Sequence, residues 1–297
     1  MAAVVILGGG ALVAVGMSGD GKGSPGVLPL SGVFGDSPSP TASPTPTGPS
    51  PEELLRAEQA KQVKALDAAL KKYAATVPEF SVAVFDRKNN RVYAYRGKEK
   101  YETASVVKVQ VLACLLLTAQ DKERDLTSTE LALAKRMIRA SDNDATTALF
   151  GRLGRASGIT RCNKRLGLKE TQVSGSWGLT RTTVRDQVQL LDRLVNKDSP
   201  LDAGSRKLAF TLMSTVLEDQ DWGVPAVAET GETATVKNGW LARSADGGRW
   251  IINSVGRVTG DDVDVSIAVL SHNHASMPSG IKVVEKTAKM TRQYLEY

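Results

Sequence analysis

The order of periodic segments in this 297-residue chain predicts an α+β fold. Three observations carry that class. Two short strand-like runs stand between residues 80 and 96. A block of helical segments with no strand follows, to about residue 217. Three further strand-like runs then precede a long amphipathic stretch at the C-terminus. A strand pair, a helical middle, a strand trio and a closing helix fit one antiparallel five-stranded sheet. The terminal helices would cover one face, and the helical block would form a second, all-helical lobe.

The chain opens on Ala2–Met17, which carries no charge and is rich in Ala, Val, Leu and Gly. It is shorter than the ~20 residues of a full membrane span. We read residues 1–19 as a signal peptide or membrane anchor, and so expect an exported protein, secreted or membrane-anchored, in the bacterial cell-wall space. No cysteine lies near this segment, so lipid attachment there is not expected. Residues 20–51 are Gly-rich and then Pro/Ser/Thr-rich. The run DSPSPTASPTPTGPSP from Asp36 to Pro51 favours an extended spacer without a packed core. The folded domain is placed at residues 52–297.

Pro51-Glu52-Glu53 opens an amphipathic helix through about Tyr73. Phe80–Asp86 and Arg91–Arg96 read as a hairpin around a Lys88-Asn89-Asn90 turn. Helices are expected from near Thr103, then at Ser128–Ala140, Asp142–Leu153, Gly158–Leu166, Thr182–Val195 and Leu201–Leu217. Strands return at Ala234–Leu241, Arg249–Val258 and Val263–Ser271. The last helix runs from near Ser279 to Tyr297, with Ser279 as its cap.

Three short motifs are distributed over these elements: Ser105-Val106-Val107-Lys108, Ser141-Asp142-Asn143 and Lys237-Asn238-Gly239. A serine hydroxyl is a weak nucleophile until a neighbouring base takes its proton. Positions i and i+3 share a helix face, so Lys108 would lie beside Ser105. Free N–H groups in the first helical turn favour negative charge developing there. Lys108 acts as a base only if its pKa falls, which burial and a nearby Lys237 would both promote. Each motif also has a plainer reading. Ser-x-x-Lys recurs at Ser279–Lys282, Ser-Asp-Asn suits a helix cap, and Asn-Gly suits a hairpin turn.

In this order the motifs resemble the S-x-x-K, S-D-N and K-T-G set of the class A β-lactamases and penicillin-binding serine hydrolases. The resemblance spans roughly residues 52–297. It implies that Ser105 is the acylated nucleophile and Lys108 its base or proton relay. Ser141 would pass a proton to the leaving nitrogen, and Lys237 would face the substrate carboxylate. Asn143, Asn238, Gly239 and Trp240 are expected to bind substrate, with backbone N–H groups of Ser105 and Trp240 as the oxyanion hole.

The chain departs from the pattern in three places. Asn238 stands where the family carries Thr or Ser, so a carboxylate-binding hydroxyl is absent. Residues 166–178 look too short for the loop that bears the deacylating glutamate, and Glu170 reads as a surface residue. The connection between Ser-x-x-K and Ser-Asp-Asn is compact, which would remove one wall of the cleft. Arg181 and Arg243 are candidates to replace the lost hydroxyl.

Two enzymatic readings therefore compete: a class A type β-lactamase, and a D,D-peptidase relative acting on cell-wall peptides with slow deacylation. A catalytically weak peptidoglycan-binding module is the third. The expected ligand is a small-molecule β-lactam or a cell-wall peptide, the expected state a monomer, and no cofactor is required.

Other chemistries fit poorly. Only His272 and His274 are available for a Ser-His-Asp triad or a metal, and they read as exposed strand-end residues. A net charge of +6 with scattered Lys and Arg, and no recognisable motif, argues against nucleic-acid binding. Cys114 and Cys162 permit one disulfide in an exported protein, although Cys114 equally suits a buried small hydrophobe.

Overall fold

The computed structural model describes residues 48–297, so the expectations for the apolar N-terminus and most of the spacer lie outside the described residues. In chain order the main elements are α1 (Pro51–Ala74), β1 (Phe80–Asp86), β2 (Arg91–Tyr95), β3 (Tyr101–Glu102), α2 (Val107–Gln120), α3 (Ser128–Arg139), α4 (Asn143–Arg152) and α5 (Arg155–Leu166). They continue with β4 (Arg181–Thr182), α6 (Val184–Arg193), α7 (Ala203–Met213), β5 (Thr233–Arg243), β6 (Arg249–Thr259), β7 (Asp264–His274) and α8 (Met277–Leu295).

Five strands form one antiparallel sheet in the order β2-β1-β7-β6-β5. Alternation along β1 sends Phe80, Val82 and Val84 to one face and Ala83 to the other. The first face packs under α1 and α8 through Leu66, Leu70, Val284 and Ala288. The second meets the helical lobe, where α2 is buried along nearly its whole length from Val107 to Ala119. A helix apolar all round belongs in the centre of a domain. It carries Lys108 into that centre.

Helix starts follow local chemistry. Ser50 and Glu53 form a capping box on α1, and Thr127 and Glu130 form one on α3. In α8 the cap is Ser276, and Ser279 is its reciprocal partner rather than the cap itself. α6 begins at Val184, not Thr182, because Arg181 and Thr182 pair with Glu102 and Tyr101 as a two-stranded ribbon and Thr183 caps the helix. α7 begins after the Asp202 cap and ends at Met213, short of Leu217. His272 bonds Glu79, as a rim residue would, whereas His274 is buried against Ser271 beneath α8. Among the described residues, no helix is long and apolar enough to cross a membrane.

Cys114 on α2 and Cys162 on α5 form a disulfide across 48 residues of sequence. The bond ties the central helix to the lobe's outer wall. Cross-linking a loop of this length typically stabilises by about 2–4 kcal/mol. Cys114→Ala/Cys162→Ala is therefore expected to unfold at lower denaturant, with a stability loss of about 2–4 kcal/mol. Urea melts of both proteins check this, and equal midpoints would contradict it.

Candidate active site

Ser105 does not open a regular helix as the spacing suggested. It lies in a 3-10 turn, Ala104–Val106, that leads into α2. Ala104 has φ +45°, a left-handed conformation that non-glycine residues adopt at a cost of about 1–2 kcal/mol. Ser141, before α4, has φ +55°. Both hydroxyls of interest are thus presented by, or next to, a strained residue, a pattern that clusters at functional sites.

The edge strand β5 runs past the Ser105 turn. A Cβ added at Gly239 would lie 2.7 Å from Ser105 N and 2.8 Å from both Thr103 O and Val106 N. Only glycine lets strand and turn approach this closely. Gly239 therefore serves the site by having no side chain, and its neighbour Trp240 lines the pocket.

Lys108, Ser141 and Lys237 converge. Ser141 Oγ lies 3.0 Å from Lys108 Nζ and 3.0 Å from Lys237 Nζ. Lys108 also donates to Ser141 O at 2.6 Å and to Asn143 Oδ1 at 2.9 Å. Lys237 donates a further bond to Asn238 O. Burial lowers the Lys108 pKa to about 7, and the charge of Asp142 opposes the shift. Lys237 is pushed well below the ordinary lysine range, by complete burial first and by the charge of Lys108 second. Asp142 caps α4 through Ala145 N and pairs with Arg136, which holds the Ser-Asp-Asn turn in place. Ser105 Oγ has no hydrogen-bond partner among the described residues. In this arrangement all three Lys108 donors point to the Ser-Asp-Asn turn.

Ser105 opens into a pocket of about 470 Å³. Asn143, Phe150, Trp177, Leu179, Trp240 and Leu241 contribute to its walls. Trp177 was not singled out by the sequence, since one buried tryptophan reads like another. Its ring lies 5.1 Å from Lys108 Nζ, within cation–π range, and its Nε1 donates to Thr147. No carboxylate lines the pocket among the described residues. Glu170 instead accepts a bond from Thr183 Oγ1 at 3.1 Å and is not a lining residue.

Three expected substrate contacts are not brought to the pocket. The Asn238 side chain points away from Lys237, as strand alternation requires, and donates to Gln220 O and Trp222 O. It cannot stand in for the missing hydroxyl. Arg243 pairs with Glu102 at 3.2 Å, and Arg181 donates to Lys100 O. Both arginines line a separate cavity of about 210 Å³.

Comparison with known proteins bears on the fold and the family. The model of the β-lactamase enzyme family matches residues 125–295, a span that includes Ser141, Asn143 and Lys237 and begins after Ser105 and Lys108. Among curated proteins, the chain is similar to the "Putative lipoprotein LppW" of Mycobacterium tuberculosis and of Mycobacterium bovis. Identity is 27% over 191 residues, covering 62% of this chain and 60% of the relative. The matched region thus spans about three fifths of the length of these relatives. Among solved structures, the chromosome-encoded β-lactamase of Vibrio parahaemolyticus matches with TM-score 0.66 and 16% identity, covering 77% of this chain and 98% of that one. A β-lactamase from Desulfarculus baarsii matches with TM-score 0.63 and 18% identity, covering 81% and 98%. At such identity the structural likeness establishes the fold, which is that of the class A β-lactamases. The family match extends over more than half of the sequence, and the protein belongs to the β-lactamase enzyme family.

Proposed function

We propose that the protein is an exported serine hydrolase that is acylated at Ser105 by β-lactams or related cell-wall amides and releases the acyl group slowly. The observation that carries this reading is the Ser141 hydroxyl held 3.0 Å from each of two buried lysine amines, one of them on the helix that follows the Ser105 turn, together with a pocket at Ser105 that no carboxylate lines among the described residues. The first half of that observation supplies acylation chemistry. The second removes the group that would activate a water for deacylation.

In the proposed sequence, neutral Lys108 swings from the Ser-Asp-Asn turn and accepts the Ser105 proton as Oγ attacks the amide carbon. Such contacts are commonly loose without substrate and tighten in the complex. The carbonyl oxygen gains negative charge, stabilised by the N–H groups of Ser105 and Trp240. The proton passes from Lys108 through Ser141 Oγ to the leaving nitrogen as the C–N bond breaks. The products are the ester at Ser105 and a free amine, with Lys108 neutral again. Lys237 holds a substrate carboxylate near Ser141, and Asn143 binds the acyl amide.

Export is supported by the uncharged apolar run at Ala2–Met17 and by similarity to proteins named as lipoproteins. A fast β-lactamase would need a hydrolytic base that this pocket does not provide, so the penicillin-binding reading is preferred.

Incubation with a chromogenic cephalosporin is expected to give one covalent adduct per chain by intact mass, retained over hours, and none with Ser105→Ala. Sustained turnover would instead identify an efficient β-lactamase, and no adduct at all would refute acylation.

The acylation rate is also expected to depend on pH. Lys108 works as the neutral amine, and its pKa is lowered to about 7. Below that pH the ammonium form dominates and acylation slows about tenfold per pH unit. Above it the rate levels off. Stopped-flow rates from pH 5 to 9 check this, and a rate still rising about tenfold per pH unit up to pH 9 would exclude a base with the lowered pKa of Lys108.

A further inference from the structure

Asn253 lies on β6, directly opposite Gly239 in the β5–β6 register. It is fully buried and is not part of any of the three motifs. Its Nδ2 donates one hydrogen to Glu102 O at 2.8 Å and the other to Thr103 O at 3.0 Å. Its Oδ1 accepts from Ser271 N at 3.0 Å. Each bond reaches backbone, and two of them hold the residues immediately before the strained Ala104 and Ser105. The pairing of β6 with β7 shifts register between Trp250 and Ile252, just before this residue. Such a bulge re-aims the side chains that follow it.

The same turn is bounded on its other side by Gly239, whose absent Cβ leaves room for Thr103 O and Ser105 N. Thr103 O also accepts from Val106 N. The Ser105 turn is thus pressed against one strand and pinned by the side chain of the next. A left-handed residue such as Ala104 persists only where its surroundings over-determine it.

We infer that Asn253 is a positioning residue: its amide pins the carbonyls of Glu102 and Thr103 so that Ser105 and its N–H are held in reacting geometry. This inference builds on the acylation proposed above. Asn253 makes no hydrogen bond to Lys108 or Ser141, and so acts through the backbone of the turn. Small displacements of a reacting group lower rates far more than they lower binding.

The test uses Asn253→Asp, which keeps the acceptor for Ser271 and loses both donors, together with Asn253→Ala and Asn253→Ser. Val269→Ala, a fully buried β7 substitution on the sheet face under α1 and α8, serves as a destabilised control. Amide hydrogen exchange at Ser105 and Val106 is expected to accelerate in the Asn253 variants and not in the control. The acylation rate constant is expected to fall about 10–100-fold in Asn253→Asp and Asn253→Ala, and less in Asn253→Ser, with the dissociation constant for non-covalent ligand little changed. The pH midpoint of acylation should stay in place, since Lys108 is untouched. Unchanged exchange at Ser105, or a rate loss no larger than in the control, would overturn the inference. If wild-type protein resists every β-lactam while the exchange effect persists, the acylation reading falls and the clamp stands.

Discussion

Two lysine amines in the protein interior impose the constraint around which the site is arranged. An ammonium ion taken out of water must find acceptors or lose its proton. Lys108 and Lys237 do both. They share the Ser141 hydroxyl, they use the carbonyls of Ser141 and Asn238, and their pKa values are driven down. An amine whose pKa is lowered to about 7 is the result on α2. Ser141, which bonds both amines, holds a left-handed backbone.

The sheet supplies Lys237 and Gly239, and the helical lobe supplies Lys108 and the Ser-Asp-Asn turn. β5 is an edge strand, so its outer side is free to form one border of the pocket rather than to pair with another strand. Its register with β6 is continuous from Thr233 to Arg243, which fixes Lys237 and Gly239 at their heights along the lobe. From the other direction, the disulfide ties α2, the helix that follows the Ser105 turn, to α5 in the helical lobe. Site geometry and domain stability thus rest on the same contacts.

A shared fold is compatible with different turnover, because chemistry depends on the few groups that reach the pocket. Here aromatic rings occupy much of that boundary. Trp177 lies over Lys108 and Trp240 follows the β5 glycine. The relation to class A β-lactamases is one of architecture and family.

Much of the fold was legible in the sequence, because it depends on short-range patterns. The strand-like run at Phe80–Asp86 is β1, and the helical segments read at Ser128–Ala140 and Asp142–Leu153 are α3 and α4 to within a residue or two. The ordered motifs pointed to Ser105, Lys108, Ser141 and Lys237 because spacing along a helix or strand is local information. Non-local geometry was not readable in that way. Whether Cys114 meets Cys162, that Asn238 turns its amide to Gln220 and Trp222, that Arg243 prefers Glu102, and that Trp177 covers Lys108 all depend on segments distant in sequence. Local spacing in the chain named the candidate residues, Ser105, Lys108, Ser141 and Lys237. Only the tertiary structure decided which of them share a pocket, because burial, pKa and the close approach of two backbones arise when separate elements pack together.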